Sequence, residues 1–183
     1  ECAVFGILGS DEAAPLTALG LHALQHRGQE AAGIVSFDGE QFPTHRDIGL
    51  VGEIFGRHSV IDRLSGHSAI GHTRYSTSGD PGMRNVQPLF ADLEFGGLAI
   101  AHNGNLTNYS ELSAEVTKTE TRYLNTTSDS EVLLHLFADE LHQNVPPQTN
   151  EEFFDLLCEA VTKIFRKVKG AYSVTSIIIG KGL

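Results

Sequence analysis

A cysteine at the second position is the residue whose place in the chain most directly suggests chemistry. Only two cysteines, Cys2 and Cys158, occur among the 183 residues. A thiol close to a free α-amine can use that amine as its general base, because an α-amine has a pKa of roughly 7.7–8.0. The alternative is that Cys2 is a small apolar residue in a buried strand, where free cysteine is often found. Its position alone leaves both interpretations open.

Four polar segments are candidates for the rest of a catalytic site, since function concentrates in loops at the ends of strands and helices. They are HRGQE (26–30), GHTRYSTSG (71–79), AHNGN (101–105) and NTTSDSE (125–131). In the third segment, the Asn103 amide and the Gly104 N–H could together form an oxyanion hole. The alternative for these two residues is an ordinary tight turn.

Two charged side chains in these segments could hold a substrate by its own charges. Arg74 is the one charged residue in an otherwise uncharged strand end, and a guanidinium there could grip a carboxylate bidentately. Asp129 precedes a predicted helix and could bind an ammonium group. The alternatives are a structural ion pair for Arg74 and, for Asp129, a carboxylate that stabilises the helix dipole, with Thr127 or Ser128 sharing the capping.

Composition excludes several classes of protein. The net charge is −10, which argues against a nucleic-acid or anionic-membrane partner. No apolar run approaches the length of a membrane span, and we expect no signal peptide and a cytoplasmic location. Two cysteines are too few for a disulfide-rich scaffold, and His22 and His26 lack both an HExxH pattern and a third ligand. We therefore expect no metal site.

The apolar pattern predicts an α+β domain, because strands and helices are mixed without regular βαβ alternation. A tight turn is expected at 103–105 and a loop at 76–86. The predicted strands are 2–9, 32–37, 42–51, 68–75, 98–102 and 171–179, and the predicted helices are 11–26, 107–118, 129–141 and a last helix between a Thr149–Glu152 capping box and a Gly170 cap.

The last predicted helix carries an apolar stripe that we expect to face the core, with Cys158 among the buried residues. The stripe consists of Phe154, Leu157, Cys158, Val161, Ile164, Phe165 and Val168.

Taken together and in this order, the segments resemble class II glutamine amidotransferases, which are N-terminal-nucleophile hydrolases. The resemblance covers essentially the whole chain, 1–183, as one glutaminase domain. It implies a four-layer αββα sandwich with two mainly antiparallel sheets between helix layers. The motifs that carry it are the early cysteine, LQHRGQEAAGI (24–34), GHTRYSTSG, NVQPLF (85–90), IAHNGNLTN (100–108) and TTSDSE.

The resemblance implies hydrolysis of glutamine to glutamate and ammonia through a thioester. It makes Cys2 the nucleophile with its own amine as base, and it makes Asn103 and Gly104 the oxyanion hole. For substrate binding it assigns the α-carboxylate to Arg74, the α-ammonium to Asp129, a place near the nucleophile to Arg27, and closure over glutamine to Tyr75 and the loop that follows.

Within the class, HNGN and TTSDSE favour the enzymes that pass ammonia to phosphoribosyl pyrophosphate in the first step of de novo purine synthesis. Their phosphoribosyltransferase domain is expected to be absent from this chain, and full-length relatives are expected to be homo-oligomers. No cofactor is expected in this domain, since magnesium and any iron–sulfur cluster would belong to the full-length enzyme. The alternatives are a glutaminase domain of the glucosamine-6-phosphate synthase type and a catalytically silent regulatory or scaffold domain.

One residue departs from the family pattern. The nucleophile of this family is the first residue of the mature chain, whereas here Glu1 precedes Cys2. With Glu1 attached, the free amine belongs to Glu1 and Cys2 lacks its base. We expect this form to be unprocessed or inactive.

Overall fold

The computed structural model describes residues 2–75, 82–93, 96–119, 123–142 and 147–178. Short 3₁₀ turns lie at Gln25–Arg27 and Met83–Asn85. The other elements in the described residues are β1 (Ala3–Leu8), α1 (Ala13–Ala23), β2 (Ala31–Phe37), β3 (Thr44–Ile48), α2 (Val51–Phe55), α3 (His58–Ile61), β4 (Ser68–Arg74), β5 (Leu89–Leu93), β6 (Gly96–Leu106), α4 (Tyr109–Thr119), α5 (Asp129–Leu141), α6 (Asn150–Lys167) and β7 (Gly170–Ile178).

These elements form four layers. The first sheet has the order β1-β4-β2-β3 and the second has the order β5-β6-β7, and all neighbouring strands are antiparallel. Helices α1 to α3 bury apolar residues against the first sheet, and α4 to α6 do so against the second. The inner faces meet through Val35, Ile70, Ala99, Ala101 and Ile177. The predicted αββα sandwich is thereby confirmed.

The alternation of side chains along two central strands determines where polar groups enter the space between the sheets. On β4, Ile70 faces the second sheet, so His72 and Arg74 face the same way. On β6, Ala101 faces the first sheet, so Asn103 does too. The apolar interior between the sheets therefore gives way to a polar region at this end of both strands.

The tight turn predicted at 103–105 is wrong, because β6 continues through these residues to Leu106. Partner strand β7 pairs with them, placing Asn103 opposite Ser173 and Gly104 opposite Tyr172. A Cβ on Gly104 would lie 2.3 Å from the carbonyl oxygen of Ala171. The glycine is needed for this close approach of two strands, not for a turn.

The apolar stripe predicted for α6 is only partly correct, and the prediction that Cys158 lies in the core is wrong. Leu157, Ile164 and Val168 pack against the core, but Cys158 is exposed, as are Phe154 (63%), Val161 (52%) and Phe165 (73%). The buried face is centred instead on Phe153 and Ala160. Apolar residues occupy two adjoining faces of this helix, so their periodicity alone could not identify the one that packs.

The start of α6 was predicted correctly, whereas its end was not. The capping box is confirmed: the Glu152 N–H donates to Thr149 Oγ1 at 3.1 Å, and the Thr149 N–H donates to Glu152 Oε2 at 3.2 Å. The helix ends at Lys167, however, and Gly170 begins β7. The prediction that Gly170 caps the helix was therefore wrong.

Three short elements were not predicted, namely α2, α3 and β5. Helices of five and four residues are too short for an apolar period to be visible in the sequence. Residues 76–81 of the predicted loop lie outside the described residues. Among the helices of the described ranges, none has the length and apolar character needed to cross a membrane.

Candidate active site

A cavity of about 350 Å³ lies where the ends of β4 and β6 approach the start of α5. Its walls include Cys2, Arg74, Tyr75, Gly104 and Asp129. These residues come from four distant segments of the chain, and each was singled out from the sequence. The fold therefore brings together a thiol, a guanidinium, a backbone N–H and a carboxylate around one space.

Cys2 lies just before β1, and its thiol meets the backbone at the end of β4. The Tyr75 N–H donates to Cys2 Sγ at 3.5 Å, and Sγ lies 3.8 Å from the Tyr75 carbonyl oxygen. On its other side, Arg27 Nε donates to the Cys2 carbonyl oxygen at 3.2 Å. Cys2 is half-buried at the cavity wall and not inside the core. The backbone of Tyr75 therefore holds the sulfur in place at the cavity wall.

Arg74 ends β4 with its side chain almost fully buried. Its Nη1 lies 3.5 Å from Glu30 Oε1, so the structural ion pair considered from the sequence is present. The same side chain also lines the cavity. A guanidinium carries five N–H donors and can bind more than one carboxylate. The ion pair with Glu30 is therefore compatible with a second carboxylate arriving from the cavity.

Asp129 is the first residue of α5, and the capping role belongs to its neighbour. Ser128 Oγ accepts from the Ser130 N–H at 3.2 Å. The Asp129 carboxylate accepts from the Leu106 N–H at 3.1 Å and lies 3.4 Å from His102 Nδ1. Burial alone would raise the pKa of Asp129, but hydrogen bonding with His102, the charge of His102 and the Leu106 N–H together lower it below its ordinary value. The group is therefore a charged carboxylate at neutral pH.

Two buried histidines in the cavity wall were not predicted as site residues. His72 is fully buried, and burial, together with electrostatic repulsion from His102 and Arg74, lowers the pKa of His72 to about 3. The ring is therefore neutral at pH 7. The Nδ1 atom of His102 lies 3.0 Å from Ser130 Oγ. The sequence offered one signal for His72. It lies two residues from Ile70 and two from Arg74 in a predicted strand, and residues spaced by two share a face of the sheet.

Two predicted site residues are near the cavity without lining it. Asn103 lies in β6 between His102 and Gly104, both of which do line it, and it is on the face directed at the first sheet. Arg27 reaches the site through the carbonyl oxygen of Cys2. The roles assigned to both residues stay predictions.

Two amide side chains complete the wall, and sequence reasoning missed both as site residues. Asn85 Nδ2 donates to Thr127 Oγ1 at 3.1 Å, and the Thr127 N–H donates to Asn85 Oδ1 at 3.1 Å. This reciprocal pair ties the segment before β5 to the start of α5. Gln87 makes a similar pair of bonds to β6. Both residues lie in NVQPLF, a motif that supported the family resemblance but was assigned no role in the site.

Side chains of the types that bind metals are dispersed in the part of the chain that the structure describes. Within those ranges, no three or more His, Cys, Asp and Glu side chains are grouped so that they could hold an ion. In the cavity wall, the Asp129 carboxylate is instead engaged with His102 and with the Leu106 N–H.

Comparison with known proteins identifies relatives along the whole chain. Residues 72–177 match the family model of a glutamine amidotransferase domain. The chain is 52% identical over 177 residues to an amidophosphoribosyltransferase of Rhizobium etli, covering 97% of this chain and 33% of that protein.

Two solved structures share both the fold and 39% of the aligned sequence. One is a glutamine phosphoribosylpyrophosphate amidotransferase from Bacillus subtilis complexed with ADP and GMP, with a TM-score of 0.77 over 96% of this chain and 35% of that one. The other is described as the allosteric regulatory enzyme of purine biosynthesis, with a TM-score of 0.79 over 95% of this chain and 35% of that one. The chain thus spans about a third of the length of these relatives.

Proposed function

The chain belongs to the glutamine amidotransferase domain family, and from this membership we propose that it hydrolyses glutamine to glutamate and ammonia through a thioester on Cys2. The observation that carries the proposal is the single cavity lined by the Cys2 thiol, the Arg74 guanidinium and the Asp129 carboxylate. Glutamine presents an amide, a carboxylate and an ammonium, so each of its polar groups has a partner of suitable chemistry.

The two charged side chains bind the amino-acid end of the substrate. Arg74 holds the α-carboxylate and Asp129 holds the α-ammonium. The lowered pKa of Asp129 keeps its carboxylate charged at the pH where an α-ammonium is also charged. Because both partners are largely buried, these contacts are stronger than the same pairs would be at the surface. They select an α-amino acid and orient its side-chain amide toward Cys2.

The reaction proceeds through a covalent intermediate. Once Glu1 has been removed, the free α-amine of Cys2 accepts the thiol proton, and the thiolate attacks the side-chain amide carbon of glutamine. The resulting oxyanion is stabilised by the Gly104 N–H and the Asn103 amide. The amine returns its proton to the leaving nitrogen, which departs as ammonia. A water molecule then gives a proton to the amine and attacks the thioester, and glutamate leaves as the thiol recovers that proton.

Arg27 and Tyr75 support the nucleophile. The bond from Arg27 Nε to the Cys2 carbonyl oxygen restricts the backbone of Cys2, and so holds the nucleophile in one orientation at the cavity wall. The Tyr75 N–H holds the Cys2 sulfur in place, and the exposed Tyr75 side chain, which lines the cavity, closes over bound glutamine in this proposal.

The ammonia released here serves an acceptor domain. We propose a phosphoribosyltransferase domain that converts phosphoribosyl pyrophosphate to phosphoribosylamine, as the printed names of the relatives suggest. In this proposal the full-length protein is a cytoplasmic homo-oligomer. Residues 1–183 form its glutaminase domain without a cofactor, and magnesium and any iron–sulfur cluster belong to the rest.

The acceptor is tested by joining a chain that begins at Cys2 to the acceptor domain of the Rhizobium etli relative and supplying glutamine. We expect glutamine-dependent release of pyrophosphate from phosphoribosyl pyrophosphate and no amination of fructose-6-phosphate. A second fusion joins the same chain to a glucosamine-6-phosphate synthase acceptor domain. If that fusion aminates fructose-6-phosphate while the first fusion releases no pyrophosphate, the result would favour the alternative family branch.

The proposed hydrolysis itself is tested at Arg74, in a chain that begins at Cys2. Arg74→Gln is expected to lower kcat/KM for glutamine by about 100-fold, mainly through KM, because a charge-assisted hydrogen bond to a carboxylate contributes about 1.5–3 kcal/mol. Turnover of 4-aminobutanamide, which lacks the α-carboxylate, is expected to stay unchanged. The measurement is ammonia release with both substrates.

The control for this test is Arg57→Gln, because Arg57 is exposed just before α3. This variant is expected to leave both rates at the wild-type value. An equal loss on both substrates in Arg74→Gln would mean that Arg74 does not hold the α-carboxylate.

A further inference from the structure

We propose that Gln87 is a positioning residue for the oxyanion hole: its side-chain amide replaces a partner strand and holds β6 one residue before Asn103 and Gly104. The inference deepens the proposed function and rests on it, because it concerns the same catalytic step. Gln87 touches no reacting atom in this role and acts through the backbone of His102.

The contacts of Gln87 reproduce those of a neighbouring strand. The His102 N–H donates to Gln87 Oε1 at 2.7 Å, and Gln87 Nε2 donates to the His102 carbonyl oxygen at 3.2 Å. The paired register of β5 and β6 ends where Leu89 lies opposite Ile100. Two residues further along, the same register would put Gln87 opposite His102. At that position the side chain makes the two bonds that backbone pairing would have made.

The backbone of Gln87 is held against the first sheet, the one that contains β2 and β3. A Cβ on Gly33 of β2 would lie 2.1 Å from the Gln87 carbonyl oxygen, so these two backbones are in direct contact. Arg46 of β3 donates through Nη1 to the carbonyl oxygens of Val86, at 2.9 Å, and Pro88, at 3.4 Å. Gln87 is thus anchored on the first sheet while its side chain holds the second.

This bridge determines a distance that matters for catalysis. Cys2 precedes the first strand of the first sheet, whereas Asn103 and Gly104 belong to the second sheet. The separation of the sheets at the cavity therefore determines how far the oxyanion donors lie from the attacking sulfur. Because Gln87 is almost fully buried, water cannot easily replace its two bonds to His102. Without Gln87, β6 loses its link to the first sheet at this point.

The expected kinetic effect follows from where the charge develops. Removing one oxyanion donor outright lowers kcat by about 10²–10³-fold in a well-studied hydrolase. Shifting the donors by a fraction of an ångström should cost less, about 10- to 100-fold. Glutamine itself is held by Arg74 and Asp129, which Gln87 does not contact in the described hydrogen bonds. KM should therefore change by less than about 3-fold while kcat falls.

The experiment compares Gln87→Leu, which removes both bonds, with Gln87→Glu, which keeps an acceptor for the His102 N–H but no donor for its carbonyl. In a chain that begins at Cys2, kcat should fall by about 10- to 100-fold in Gln87→Leu and by less in Gln87→Glu. Binding of the γ-aldehyde of glutamic acid, whose thiol adduct places an oxyanion at the same donors, should weaken by the same factor as kcat. Binding of glutamate should not change.

Asn108→Leu is the matched control, because the Asn108 side-chain amide also makes two hydrogen bonds to backbone groups. Its Nδ2 donates to the Lys167 carbonyl oxygen at 3.1 Å, and its Oδ1 accepts from the Lys169 N–H at 2.9 Å. Both leucine variants should lower the melting temperature, but only Gln87→Leu should lower kcat and aldehyde affinity. Equal kinetic behaviour of the two folded variants would overturn the proposal. If Gln87→Leu does not fold, a wild-type kcat in Gln87→Glu would overturn it.

Hydrogen exchange separates a failure of this inference from a failure of the proposed function. The amide of His102 should exchange at least about 10-fold faster in Gln87→Leu than in Asn108→Leu, since its N–H loses the bond to Gln87 Oε1. If the unmutated chain that begins at Cys2 turns over no glutamine, the proposed function fails, while unchanged exchange at this amide would refute the holding role of Gln87 in its own right.

Discussion

Replacing Cys2 with alanine is expected to lower glutamine hydrolysis by at least about 10⁴-fold, to the background rate. The thiol is the one nucleophile of its kind at the cavity, since Cys158 is exposed on α6 and does not line the cavity wall. Without sulfur no thioester forms, and the oxyanion donors have no covalent intermediate to stabilise. The measurement is the rate of glutamate formation in a chain that begins at Cys2.

Two comparisons make the result specific to the nucleophile. Cys158→Ala should keep the full rate, and diazo-oxo-norleucine, a glutamine mimic with an electrophilic carbon, should add once to the wild type and not at all to Cys2→Ala. Glutamine binding to Cys2→Ala should stay within about 3-fold of the wild type, because Arg74 and Asp129 remain. Undiminished turnover in Cys2→Ala would argue against the enzyme and for a scaffold domain.

Removing Glu1 is expected to raise glutamine hydrolysis by about 10²–10⁴-fold, the usual range for a positioned general base. With Glu1 attached, the nitrogen of Cys2 is a peptide amide, which has no basic lone pair. The amine of Glu1 lies one residue further away, roughly 3.8 Å measured between Cα atoms. A chain that begins at Cys2 places a basic amine next to the sulfur that must lose its proton. Intact mass and initial rates of both forms provide the measurement.

Acetylating the amine of the chain that begins at Cys2 distinguishes the base from simple obstruction by Glu1. The acetyl group is small, so a return to the low rate would identify loss of the base as the cause. The rate of the free-amine form should also rise with pH through an α-amine pKa of roughly 7.7–8.0. A chain that retains Glu1 and turns over at full speed would eliminate the amine as the general base.

Local patterns were sufficient to predict an α+β fold and several residues that line the cavity. The αββα arrangement followed from the resemblance, and the mixed strand and helix pattern agreed with it. Cys2, Arg74 and Asp129 were identifiable because each has a chemistry that its neighbours in sequence lack. The capping box at Thr149 was identifiable because its two hydrogen bonds lie within four residues.

Where the predictions were wrong, contacts between residues distant in sequence determined the structure against the local conformational preference. Asn103 and Gly104 favour a turn by type, but pairing with β7 keeps them extended. Cys158 fits an apolar stripe, yet the packing of α6 against its neighbours buried the adjoining face. In each case the competing conformations have similar local energies, so the more distant partner decides between them.

The sequence by itself determined which chemical groups this protein possesses and in what order they occur: a cysteine near the start, an isolated arginine, an Asn-Gly pair and an aspartate at a helix start. Only the tertiary structure decided that the cysteine, the arginine, the glycine of the pair and the aspartate line one cavity, that two buried histidines line it too, and that Gln87 holds one sheet to the other beside it. The physical reason is that side-chain chemistry is a property of single residues. The distances between such groups depend instead on strand pairing and sheet packing across most of the chain.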